Sequence, residues 1–259
     1  MKTSLNNPKT IGGMALVSLL WLGTACGPKA EPTATETPEA STEAAEETPE
    51  ATAALFAPLA EKARNCETQF DQIPADRKTQ LDKLALYIKT QKSSGQNSKL
   101  VFICTHNSRR SHLSQIWAKT AAEYYGIGSF IETYSGGTEA TAFNPRAVAA
   151  LERSGFVIEK PEGENPHYLV RYAEQAPALE CFSKVYDQAP NPDKGFAAVM
   201  TCSQADKNCP SIPGAAVRIP IPYEDPKASD GTPDEAKVYD ERSAQIATEM
   251  FYLMKQVQA

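Results

Sequence analysis

The chain carries a cysteine and an arginine separated by five residues, in the run Cys104-Thr105-His106-Asn107-Ser108-Arg109-Arg110-Ser111. The apolar run before it, Lys99–Cys104, suits a buried parallel strand. After it, Ser111–Tyr125 places Leu113, Ile116, Trp117 and Ala121 on one side of a helix. A strand–loop–helix passage gathers backbone N–H groups into one concavity at the positive end of the helix dipole. Such a concavity binds a tetrahedral oxyanion, with Thr105, His106, Asn107, Ser108 and Arg109 as its lining. Arg110 can bridge two anion oxygens with its planar fork of donors. Cys104 sits at the rim, where the same field favours the nucleophilic thiolate. Ser111 can give that sulfur a hydroxyl hydrogen bond.

Two further cysteines stand close together, Cys202 at the end of the apolar run Phe196–Cys202 and Cys209 beyond six intervening residues. Taken alone, this pair is open to three readings: a redox couple, a structural disulfide, or half of a zinc site with no second ligand pair in view. Cys66 and Cys181 are left over and either pair with each other or stay buried. His106 and His112 read as loop and helix-surface residues, and His167 has no metal-ligand pattern around it. No metal or cofactor is implied.

The segment ICTHNSRRS resembles the phosphate-binding loop of the low-molecular-weight protein tyrosine phosphatases and of the thioredoxin-coupled arsenate reductases that share their fold. The resemblance implies a parallel α/β sheet with helices on both faces. It makes Cys104 the nucleophile, Arg110 the oxyanion clamp, Asn107 a loop-stabilising residue and Ser111 the partner of the thiolate. Two positions depart from the family pattern. His106 replaces a usual glycine, which implies a strained loop, and Arg109 stands where many members have a second cysteine, adding positive charge. Both groups take a general acid from a late Asp-Pro pair, matched here by Asp225-Pro226 in IPYEDPKASDGT. The proline restricts the residue before it and so holds the carboxylate in place; Glu224 and Asp230 are the substitutes.

The segment from Met200 to Pro210 resembles the redox segment of the arsenate reductases. By that resemblance the Cys104 thiolate forms an adduct with arsenate. Cys202 then attacks Cys104 and releases arsenite, and Cys209 resolves the disulfide for an external thioredoxin-like reductant. A phosphatase of the same fold, acting on phosphomonoesters, needs Cys104 alone. A third reading is a non-catalytic oxyanion-binding protein.

Around these residues the chain alternates strands and helices. Helical spacing covers Arg77–Thr90, Asn144–Ser154 and Pro233–Gln258; strands are expected at Phe130–Ser135, Phe156–Ile158, His167–Arg171, Cys181–Val185 and Phe196–Cys202. Cys104 and Cys202 then reach the carboxyl edge of the sheet, where such folds bind ligands.

The residues before this body have another character. Lys2 and Lys9 precede the uncharged run Ile11–Ala25, which at about 15 residues is shorter than the ~20 of a spanning helix. It reads as an export signal. The small residues before Cys26 resemble a bacterial lipoprotein signal, although Gly23 replaces the commoner leucine; Cys26 would be lipidated and hold the protein at the cell envelope. Residues 27–53, rich in Pro, Thr, Ala and Glu, form a solvated spacer that cannot bury a core, followed by a helical extension over residues 54–95 and the catalytic domain over 96–259. The formal net charge of −6 is concentrated in the spacer, where Glu31–Glu50 has seven Glu and no Lys or Arg. The near-neutral remainder lacks the basic face of a nucleic-acid binder.

Overall fold

The computed structural model describes residues 54–259; the signal run, Cys26 and the spacer lie outside the described residues. A four-stranded parallel sheet forms the centre, in the order β2–β1–β6–β7, with β1 Ser98–Cys104, β2 Ile131–Gly137, β6 Phe196–Met200 and β7 Ala215–Pro220. From β1 the chain crosses through α3 (Arg110–Tyr124) to β2 on one side. It later returns to the other side as β6, so the order reverses at β1. The register sets Cys104 opposite Gly137 and Ile103 opposite Met200, which puts three strand ends at one edge.

Helices cover both faces, unequally. Leu100 and Phe102 of β1 point into a core shared with α1 (Ala57–Glu67), α2 (Ala75–Ser93), α3, α4 (Pro145–Ser154) and α6 (Glu235–Gln258). Trp117 is fully buried at its centre, edge-on to Phe156, and donates Nε1–H to Ser243 Oγ at 3.0 Å. Val101 and Ile103 point the other way, onto a smaller cluster under the six-residue helix α5 (Ser203–Asn208) and Ile212. Helices α1 and α2 thus bury Leu59, Leu81, Leu84 and Ile88 in the main core.

Local chemistry sets the helix ends. Asn144 caps α4 by accepting the Arg146 N–H at 3.0 Å, Pro145 opens it, and Gly155 ends it at φ 109°.

Three features differ from the sequence expectation. A second, antiparallel sheet joins β3 (Val157–Glu159), β4 (Tyr168–Arg171) and β5 (Leu179–Cys181). The strand expected at Cys181–Val185 ends at Cys181, because residues 183 and 184 turn their backbone N–H groups to Asn165 and Asn107 instead. The edge strand β7 lies outside the expected strands; it is half-exposed and interrupted by Arg218, so it lacks a continuous apolar run.

Candidate active site

Cys104 ends β1, and residues 105–109 carry the chain into α3. The carbonyls of this loop are tied outward. Cys104 O accepts from Thr138 N at 3.1 Å, Thr105 O from Glu139 N at 2.8 Å, and Ser108 O from Asn144 N at 2.8 Å. His106 O accepts from Ser183 Oγ at 3.0 Å and Thr141 Oγ1 at 3.1 Å. The amides of residues 105–110, by contrast, donate to no acceptor among the described residues. Unpaired N–H groups at the start of a 15-residue helix call for a negatively charged acceptor.

Asn107 holds the loop from within. Its φ of 43° is left-handed, which asparagine tolerates better than most residues. Its Oδ1 accepts from Lys184 N at 2.9 Å, and its Nδ2 donates to Ser111 Oγ at 2.9 Å. With its oxygen accepting there, Ser111 has its own hydrogen free for Cys104 Sγ, 3.1 Å away. Cys104 is 3% exposed, within the loop and beside that hydroxyl. Gly137 must be glycine: a Cβ there would lie 2.7 Å from both Asn107 N and Thr105 O.

Arg110 crosses to the late loop, donating to Tyr223 O at 2.9 Å and to Asp225 Oδ2 at 2.8 Å. Its buried Nε has no partner among the described residues, leaving a donor for an anion. Asp225 Oδ1 also accepts from Lys227 N at 3.1 Å, so the carboxylate is fixed at both oxygens. Glu224 is exposed and makes no comparable contact among the described residues; Asp230 faces Arg109 and Tyr239 and not Arg110.

Arg109 does not add its charge to the cradle. Its guanidinium donates to Tyr239 OH at 2.8 Å and lies 3.5 Å from Asp230, with Asp225 at 3.9 Å. Burial and the Asp230 carboxylate push the Tyr239 phenol up to about 12, so it stays protonated and donates to Asp230 Oδ1 at 2.8 Å. His106 is exposed, 3.6 Å from Glu139, and does not have a left-handed φ; the backbone strain expected there falls on Asn107. His112 corrects a further expectation. Far from lying on the helix surface, it is fully buried, stacked on Phe143 at 4.1 Å, with Nε2 3.2 Å from Phe182 O.

Cys202 is 1% exposed and caps α5, its sulfur accepting from Ala205 N at 3.3 Å. That sulfur is also 3.4 Å from Thr105 Oγ1, next to Cys104 in the chain. Cys209 is the partly exposed C-cap of the same helix. Arg218 of β7 holds α5 by donating to Asp206 Oδ1 at 2.7 Å and to Cys209 O at 3.0 Å. Cys66 and Cys181 do not pair; both are buried and free, and burial pushes the Cys181 thiol up to about 12. The supports given by Asn165, Ser183, Lys184 and Tyr239 have no signal in the sequence, because each comes from a distant segment.

Residues 99–165 match the family of the low molecular weight phosphotyrosine protein phosphatase. The chain is 30% identical over 158 residues to an arsenate reductase of Halalkalibacterium halodurans, covering 59% of this chain and 95% of that one. An arsenate reductase of Brevibacillus brevis is also 30% identical, over 152 residues, 58% of this chain and 93% of the relative. A low molecular weight protein tyrosine phosphatase from T. tengcongensis superposes with a TM-score of 0.42 at 16% identity, over 61% of this chain and 99% of that one. The chain therefore belongs to the family of low-molecular-weight phosphotyrosine protein phosphatases and arsenate reductases.

Proposed function

We propose that this protein is a thiol-dependent arsenate reductase working through Cys104, Cys202 and Cys209. The observation that carries the reading is the Cys202 sulfur 3.4 Å from Thr105 Oγ1, beside the nucleophile's loop, with Cys209 on the same short helix. The Cys104 thiolate attacks arsenate, Arg110 and the loop amides hold its oxygens, and Asp225, when protonated, gives its proton to the departing oxygen. The Cys202 thiolate then attacks the Cys104 sulfur. The S–As bonding pair passes to arsenic, arsenite leaves, and Cys104 and Cys202 are joined. Cys209 attacks Cys202, frees Cys104 and leaves a disulfide for an external thioredoxin-like dithiol to reduce. One sulfur cannot bond both partners at once, so α5 must shift between steps. A six-residue helix tied by its Cys202 cap and Arg218 is a small element to move.

The second reading is hydrolysis of phosphomonoesters through a phosphocysteine. It is favoured by the Cys104–Ser111 and Arg110–Asp225 contacts, which need no other cysteine. Purified protein should be assayed on arsenate with a dithiol protein and on an aryl phosphate. Under the first reading Cys202→Ser stops arsenite release and leaves phosphate ester hydrolysis intact; Cys104→Ser stops both and retains anion binding. A wild type that hydrolyses the ester but yields no arsenite is a phosphatase. One that binds phosphate and turns over neither is a binding protein. The proposal includes export and lipidation at Cys26, which would hold the enzyme at a membrane by its lipid alone. Its reductant would then be extracytoplasmic, and Cys26→Ala should release the protein from the membrane fraction.

A further inference from the structure

The loop carrying Asp225 is gripped from both sides. On the sheet side, Ile221 N donates to Met200 O at 2.9 Å and Tyr223 N to Thr201 O at 3.0 Å. On the other side stands Arg77, from helix α2. Its Nη2 donates to Pro222 O, and its guanidinium lies 5.1 Å from the centre of the Tyr223 ring. The next carbonyl, Tyr223 O, is the one that receives Arg110 Nη1, and two residues later Asp225 receives Nη2. A residue outside the matched family segment is thus two contacts away from the clamp and the acid.

We propose that Arg77 is a positioning residue for the reaction, fixing the Pro222–Asp225 loop and through it the Arg110–Asp225 pair. The proposal rests on the reading of Asp225 as the acid. It gives helix α2 a role in catalysis beyond its share of the core. Arg77 also has a charge to serve. Its Nε is 3.5 Å from Glu249 Oε1 on α6, a carboxylate only 3% exposed that also receives Gln245 Nε2 at 3.1 Å. Burial pushes the Glu249 carboxyl up and Arg77 opposes that, so simple deletion of Arg77 would strand a buried acid. Lysine keeps the charge and loses the fork and the planar stacking face. Arg77→Lys is therefore the informative variant.

A brace for the acid affects most the substrates whose leaving group most needs a proton. In the full-length protein, Arg77→Lys should lower kcat on phenyl phosphate by about tenfold. On 4-nitrophenyl phosphate, a better leaving group, kcat should stay within about twofold and KM be unchanged. Amide exchange over residues 223–227 should quicken by about tenfold, with α3 unaffected. The neutral pair Arg77→Met with Glu249→Gln should behave the same way if the lysine variant folds poorly. Equal losses on both esters, or unchanged exchange over residues 223–227, would overturn the proposal. Should the wild type hydrolyse neither ester, the exchange measurement decides alone. Asp225→Asn separates the two ideas: if it spares phenyl phosphate turnover while Arg77→Lys still loosens the loop, the acid assignment falls and the brace stands.

Discussion

Arg110 donates to the Asp225 carboxylate at 2.8 Å, so the proposed anion clamp and the candidate acid are hydrogen-bonded to each other. Under the proposed reading, an incoming oxyanion must share Arg110 with Asp225. The same contact fixes the carboxyl group beside Arg110, at the start of α3. Replacement by asparagine keeps an oxygen for Arg110 and removes both the competing charge and the transferable proton. Asp225→Asn is expected to bind inorganic phosphate more tightly and to turn over an unactivated ester about 100-fold or more slowly, within the range for loss of a general acid. Calorimetric titration and steady-state rates check both halves. Unchanged turnover would remove Asp225 from the mechanism.

Ser111 links Cys104, the proposed nucleophile, to the residue that shapes the loop. Its hydroxyl is 3.1 Å from Cys104 Sγ and receives Asn107 Nδ2 at 2.9 Å. In Ser111→Ala the sulfur loses a donor, and a buried amide N–H loses its acceptor at a cost of about 1–3 kcal/mol. The variant should melt several degrees lower, and its Cys104 should react more slowly with iodoacetamide at neutral pH. Equal alkylation rates would mean that the hydroxyl does not assist the thiolate.

The strand–loop–helix setting of Cys104 was legible in the sequence because it is local, occupying one run from Ser98 to Tyr124. Apolar continuity marked β1, and helical spacing marked α2, α3, α4 and α6, each of which buries apolar residues in the main core. Periodicity could not find β7, which is half-exposed, nor the pairing of β4 with β3 and β5. The outward ties of the loop were equally hidden. His106 O is held by Ser183, 77 residues away, and Asn107 Oδ1 by Lys184 at the same separation. The use of Arg109 depended on where α6 would set Tyr239, 130 residues later. Long-range hydrogen bonds of this kind carry no spacing signal.

Gly137 is a point where backbone meets backbone. An added Cβ would lie 2.2 Å from Glu139 O as well as 2.7 Å from Asn107 N and Thr105 O, and none of these atoms belongs to a flexible side chain. Gly137→Ala must therefore push the anion loop away from β2. Overpacking of this kind costs about 1–3 kcal/mol, and the displaced amides should weaken phosphate binding by about tenfold or more. A melting curve and a phosphate titration on the same variant test this, and wild-type values in both would mean that the two segments separate without cost.

His112 gives the fold a defined acid sensitivity. It is fully buried, and that burial, reinforced by the nearby Lys184, lowers its pKa to about 3. A carbonyl can only accept, so the neutral ring donates Nε2–H to Phe182 O at 3.2 Å. In the unfolded chain the imidazole titrates near ~6.5. Between about pH 6.5 and about 3 the unfolded state binds a proton that the folded state refuses, so stability rises with pH across that window and falls on acidification. Glu249 acts with the opposite sign, since burial raises its folded value and its contribution fades as pH rises through it. A comparison of variants isolates the histidine. Glutamine can donate to Phe182 O but does not titrate, although it gives up the stacking on Phe143. His112→Gln should be less stable than the wild type at pH 7, by the lost stacking, and should close that gap as the pH is lowered toward 4. Denaturant titrations at pH 7, 5.5 and 4 measure the gap directly. A gap that stays constant across the series would mean that the imidazole takes up its proton without unfolding the protein.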